Sequence, residues 1–131
     1  MRKSIEIKSD PENLNIVEKL IDEMTEKHQI ESDMYGKMLV ATIEAVNNAI
    51  IHGNKSDNSK KVIIDIDSAG GEVKIRIRDE GEGFDYKKVP DPTAPENIEN
   101  IHGRGVFLMT HLSDGIKFNE TGTEVEMTFK I

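Results

Sequence analysis

Glu44-Ala45-Val46-Asn47-Asn48-Ala49-Ile50-Ile51-His52-Gly53-Asn54 is the stretch on which the reading of this chain turns. It lies in a longer run, Ser32 to His52, whose apolar residues Leu39, Ile43, Val46 and Ile50 recur at helical spacing and predict one buried stripe. Glu44, Asn48 and His52 stand at i, i+4 and i+8, on a neighbouring stripe of the same helix, with Asn47 three residues from Glu44. Asn is a poor helix former, and two in succession cost a few tenths of a kcal/mol each. Taken alone, the helix admits two readings. One is a solvated flank. The other is a metal and phosphate site, in which an Asn oxygen is a hard ligand suited to Mg²⁺. A Glu one turn earlier could then take a proton from a hydroxyl or water attacking the phosphate.

Composition narrows the classes. A chain of 131 residues is expected to form one domain, 1–131, burying about two-thirds of its unfolded surface. It has no cysteine, which excludes a disulfide framework and a Cys-based zinc site. No run approaches the roughly 20 apolar residues of a membrane span, and no signal pattern opens the chain, so a cytoplasmic protein is expected. The 25 acidic and 17 basic residues leave a formal charge of −8, which argues against direct nucleic-acid binding. A nucleotide still suits an acidic protein if Mg²⁺ and backbone amides meet its phosphates.

Outward from the helix, Ser4 to Lys8 alternates with Ile5 and Ile7 on one face and predicts a short edge strand. Asp10-Pro11 offers an N-cap and a first-turn proline to a helix running to about His28. Ser32 or Asp33 can cap the second helix, and Gly53 reads as its C-terminal glycine. Val62, Ile64 and Ile66, then Val73, Ile75 and Ile77, alternate with polar residues around Ala69-Gly70-Gly71 and predict a hairpin with one buried face. Its outer face carries Asp65 and Asp67 on one strand and Lys74, Arg76 and Arg78 on the other, a complementarity that suits antiparallel pairing.

One further step along the inward set of the second strand is Asp79. The alternation aims a carboxylate at the face that packs on the helices, where it needs a partner or an opening pocket. Gly81 and Gly83 follow, permitting close backbone approach or positive φ. From Asp85 to His102 regular structure is hard to find; the stretch holds Pro90, Pro92 and Pro95 and reads as a functional lid. Gly103-Arg104-Gly105 then runs into an apolar helix, an arrangement that suits phosphate binding at bare helix-terminal amides. A last pair of strands, Ile116 to Asn119 and Thr123 to Ile131, puts Thr123 on the same layer as Asp79.

In order, these pieces resemble the GHKL, or Bergerat-fold, ATPases from about Leu39 to Val125. Glu44-x-x-x-Asn48-Ala49-x-x-His52 resembles the N box and Asp79-x-Gly81-x-Gly83-Phe84 the first glycine box. Gly103-x-Gly105-x-x-Leu108 resembles the second, and Gly122-Thr123 the short final motif. Within that superfamily the chain is most similar to bacterial anti-sigma-factor serine-protein kinases. The resemblance implies an α/β (α+β) two-layer sandwich, with a mixed, mostly antiparallel sheet packed on helices and ATP held beneath a lid at about 85–102. It implies that Asp79 accepts a hydrogen bond from the adenine amino group, with Thr123 near the same end. It further implies that Asn48 holds Mg²⁺, that Glu44 is the general base, and that Gly103 and Gly105 let the turn meet phosphate oxygens. His52, Gly81, Gly83 and Arg104 complete the expected nucleotide site; Arg104 could face phosphate, partner or solvent. The implied partners are a STAS-domain anti-anti-sigma protein as phosphoacceptor and a sigma factor, with the kinase a homodimer. Two other functions stay open: a nucleotide-dependent binding switch, and the catalytic module of a two-component histidine kinase system.

Overall fold

A computed structural model describes residues 2–82 and 101–131, with the side chains of 101–103 excluded. Strand β1 (Arg2–Lys8) is followed by a 3₁₀ turn (Pro11–Asn13) and helices α1 (Leu14–His28) and α2 (Ser32–Asn48). A π-helical turn (Ala49–Gly53) leads to β2 (Lys61–Ala69) and β3 (Glu72–Arg78). Helix α3 (Ile101–Leu112), β4 (Gly115–Phe118) and β5 (Glu124–Lys130) complete the order. The strands form one sheet, β1-β2-β3-β5-β4, so β1 takes the expected edge position. Every pairing among the described residues is antiparallel. The result is the expected α+β fold, helices on one face of a sheet, although the sheet expected to be mixed is antiparallel throughout the described residues.

The period-two alternation explains which face is covered. Ile7, Val62, Ile64, Ile66, Val73, Ile75, Ile77, Val125, Met127 and Phe129 all point inward and are buried against Val17, Ile21 and Met24 of α1, Met38 and Val46 of α2, and Met109 of α3. The outer face is a charge ladder. Asp65 stands opposite Arg76 and Asp67 opposite Lys74, and Arg76 Nε donates to Glu126 Oε2 at 2.7 Å across the next pairing. Gly70 and Gly71 both have positive φ, 61° and 78°, as a two-residue hairpin turn with the sheet's own twist requires.

The helix ends depart from the sequence reading in three places. Asp10 caps the 3₁₀ turn as expected, accepting from the Glu12 amide at 3.0 Å. Helix α2, however, begins after Glu31, and neither Ser32 nor Asp33 caps it; no side chain does. Its buried face is centred on Met38, Ala41, Ala45 and Val46, with Leu39 and Ile43 only partly covered at its margin. It does not run regularly to Gly53 either. The α-helix ends at Asn48 and the chain widens into the π turn, closed by the Asn54 amide on the Ala49 carbonyl at 2.8 Å. Gly53 is not left-handed; Lys55 and Ser56, at φ 53° and 57°, reverse the chain instead. The third departure is α3, which already includes Ile101 and His102. The rest of the expected lid, 85–100, and Gly83 lie outside the described residues.

Candidate functional site

Where β3 ends, α2 widens into its π turn and β5 begins, the layers part into a small open pocket. Ala45, Ile77, Met109, Phe118 and Val125 make its apolar lining. Its polar groups come from Asn48, His52, Asp79 and Thr123. Four residues singled out in the sequence therefore meet at one cavity, delivered by a helix, a strand end and a turn.

Asp79 is held by its neighbours rather than by an ion pair. Its amide donates to the Thr123 carbonyl at 2.9 Å, which ties the end of β3 to the start of β5. Its Oδ1 accepts from the Gly81 amide at 2.8 Å. The carboxyl group lies directly on the Cα of Gly53: a Cβ there would collide with Asp79 Cγ and Oδ2 and come within 2.9 Å of Oδ1. A Cβ at Gly81 would in turn collide with the Gly53 carbonyl. Gly53 and Gly81 are thus needed for close approach, a use of glycine that requires no unusual φ. Burial raises the pKa of the Asp79 carboxyl above its ordinary value, opposed by the Gly81 amide and by the charge of Lys60. Burial likewise lowers the pKa of His52, favouring its neutral form. Among the described residues, Oδ2 of Asp79 has no hydrogen-bond partner and remains available to a ligand.

Asn48 and Glu44 form the second group. A Cβ at Gly105 of α3 would stand 3.2 Å from Glu44 Oε2 and 3.3 Å from both amide atoms of Asn48. Gly105 is therefore where α3 passes close over the polar stripe of α2. Among the described residues, Asn48 Nδ2 is buried without a hydrogen-bond partner. Such a group is costly unless something meets it, and the amide's N and O ends are exchangeable by a flip. An unsatisfied amide beside a carboxylate at a pocket wall fits a Mg²⁺–phosphate ligand. Glu44 itself does not line the pocket; it lies one turn along α2, beyond Asn48.

Gly103 and Gly105 do not form a turn ahead of a helix, because both are already helical. Gly103 falls in the first turn, whose amides have no partner within the helix, whereas Gly105 falls beyond it. Arg104 is exposed. At the other end of the pocket, Thr123 Oγ1 accepts from Asn119 Nδ2 at 2.9 Å and lies 2.9 Å from Thr121 Oγ1. Gly122, at φ 75°, makes the turn that brings Thr123 there. Asn119 and Gly53 were not legible as site residues. Asn119 looks like any strand-end Asn, and Gly53 like any helix stop.

The residues 7–129 match the model of the histidine kinase-like ATPase domain. The chain belongs to that family. It is similar to the serine-protein kinase RsbW of Staphylococcus aureus strains JH9 and Newman, 34% identical over 97 residues that cover 68% of this chain. The chain spans 61% of the length of those relatives. Its fold is similar to a crystal structure of the RsbU and RsbW domains of a Mycobacterium tuberculosis protein, at a TM-score of 0.70 and 17% identity over 99% of this chain and 32% of that one. Membership places the chain among the histidine kinase-like ATPases, as the ordered motifs implied, with serine-protein kinases among its similar relatives. Among the described residues no helix is long and apolar enough to cross a membrane.

Proposed function

We propose that this histidine kinase-like domain binds ATP in the Asp79 pocket and transfers its terminal phosphoryl group to a serine or threonine of a STAS-type anti-anti-sigma protein, acting otherwise as an anti-sigma factor. The observation that carries the reading is the Asp79 carboxylate, seated on Gly53 at the wall of an apolar pocket with Asn48 facing the same cavity. A flat purine suits apolar walls, and Asp79 Oδ2 suits its exocyclic amino donor. The phosphates would then run toward Asn48, with the Gly103 amide at the start of α3 and Arg104 as further candidates to meet them. Mg²⁺, bound through Asn48, would supply charge neutralisation at the phosphates. Glu44, beside Asn48 against Gly105, would accept the proton of the incoming seryl hydroxyl. The kinase names of the similar relatives support the same direction.

The test is single-turnover transfer from labelled ATP-Mg²⁺ to candidate STAS proteins of the same genome, with wild type and Glu44→Gln. The variant keeps the shape and removes the base, so transfer is expected to fall by about 10²–10⁴-fold while Mg-ATP affinity stays near normal. Equal rates would remove Glu44 as the base. Wild type that transfers to no partner, yet binds one only with nucleotide present, would replace the kinase with a binding switch.

A further inference from the structure

The three-residue turn Asp79-Glu80-Gly81 has each of its amides engaged, and one partner comes from outside every motif of the site. The Asp79 amide goes to Thr123 and the Gly81 amide to Asp79 itself. The Glu80 amide donates to Oδ1 of Asn54 at 2.8 Å. Asn54 is 0% exposed and makes a full set of bonds: its Nδ2 donates to Ser9 Oγ at 2.8 Å and to the Lys61 carbonyl at 3.0 Å. Ser9, 1% exposed, in turn donates its hydroxyl to the Lys60 carbonyl at 2.8 Å. Glu80 adds a second strap, its Oε1 accepting from the Lys61 amide at 2.5 Å.

We infer that Asn54, braced by Ser9, is a positioning residue for base recognition that sets the height of the Asp79–Gly81 turn over Gly53. The inference rests on the nucleotide reading above and adds to it the specificity-determining support of the adenine contact. The geometry makes the coupling short. Gly53 receives the Asp79 carboxyl group, and Asn54, the next residue in the chain, grips the amide immediately after Asp79. The two adjacent residues therefore fix both the floor beneath the carboxylate and the backbone that carries it. Buried amides bonded at both ends hold a backbone to one position, because any shift strands a donor or acceptor in the interior. Without that grip the turn can rise off Gly53, and Oδ2 no longer stands at one distance from a base in the pocket.

A purely structural residue would lower the folded fraction but leave the preference among nucleotides unchanged for every folded molecule. The decisive readout is therefore the ratio of ATP to inosine triphosphate affinity, since inosine replaces the amino donor with a carbonyl oxygen. It is measured by titration calorimetry for wild type, Asn54→Ala, Ser9→Ala and Ile66→Val. Ile66 lies in the buried core and does not line the pocket, so its variant controls for lost stability. Wild type is expected to prefer ATP. Asn54→Ala should cut that preference by about tenfold or more, Ser9→Ala by a few-fold, and Ile66→Val not at all. If Asn54→Ala does not fold, Ser9→Ala carries the test alone. Wild-type preference retained in both site variants overturns the positioning role and leaves the nucleotide reading intact. A wild type indifferent to the two nucleotides overturns the base contact itself, and this inference with it.

Discussion

At the scale of single residues, a carboxylate set against Gly53 at the wall of a pocket lined by Ile77, Val125 and Phe118 loses hydration that one amide and the charge of Lys60 only partly replace. The Asp79 pKa is raised in the folded state, and the sign of the consequence follows. A raised pKa means that the folded form holds its proton more tightly than the unfolded chain. The associated stability is fully present below the unfolded pKa and is lost as pH rises through the folded one. At neutral pH, ionised Asp79 is therefore a net cost to the free protein. Asp79→Asn keeps an oxygen for the Gly81 amide and removes the charge. Thermal melts without nucleotide should show the variant more stable than wild type at pH 7. Its advantage should shrink as pH falls through the carboxylate range. A variant less stable at pH 7 would mean that the amide and Lys60 outweigh the burial.

At the scale of elements, α2 and α3 meet where both are least ordinary. The π turn after Asn48 breaks the 3.6-residue phase between Asn48 and His52, which both line the pocket, while Glu44, one turn before Asn48, lies against Gly105. A pattern of apolar residues cannot announce such a break, because Ile50 remains at an acceptable helical spacing on either side of it. Gly105 shows the same limit from the other direction. Its place beside Gly103 suggested a phosphate turn, whereas its bare Cα lets α3 pass within contact of Glu44 and Asn48. Gly105→Ala tests that contact. Ala gains about 1 kcal/mol over Gly in a helix interior, while a Cβ at 3.2–3.3 Å forces the Glu44 and Asn48 side chains to give by a few tenths of an ångström. The melting midpoint should therefore move by no more than the equivalent of about 1 kcal/mol. If Asn48 holds the metal as proposed, ATP affinity should fall several-fold in Mg²⁺ and much less in EDTA. Equal losses in both conditions would make the contact structural only.

At the scale of the molecule, the sheet was legible because period two survives everything that happens around it. One reading of alternation sets the buried face from Val62 to Phe129, and the same reading aims Asp79 inward without reference to any partner. The site is less legible because its decisive contacts join elements far apart in the chain. Asp79 on Gly53, Glu80 on Asn54 and Thr123 on Asp79 each need the fold to be seen. Asn54 follows the glycine that reads as a helix stop, yet it is one of the few buried polar residues among those described. The fold therefore uses its stability to hold one carboxylate at the mouth of its own core. A ligand that takes up that carboxylate should return the cost, since binding to the folded state alone stabilises it by about 2.7 kcal/mol at 100 times Kd.

Calorimetric titration of ATP-Mg²⁺ into wild type and Asp79→Asn tests the base contact most directly. In the variant, the oxygen kept by the Gly81 amide leaves an NH₂ group facing the adenine amino group, donor against donor. Wild type should bind, and the folded variant should lose about 100-fold in affinity or more. Equal affinities in the two proteins would contradict the account, because the carboxylate seated on Gly53 would then not be what recognises the base.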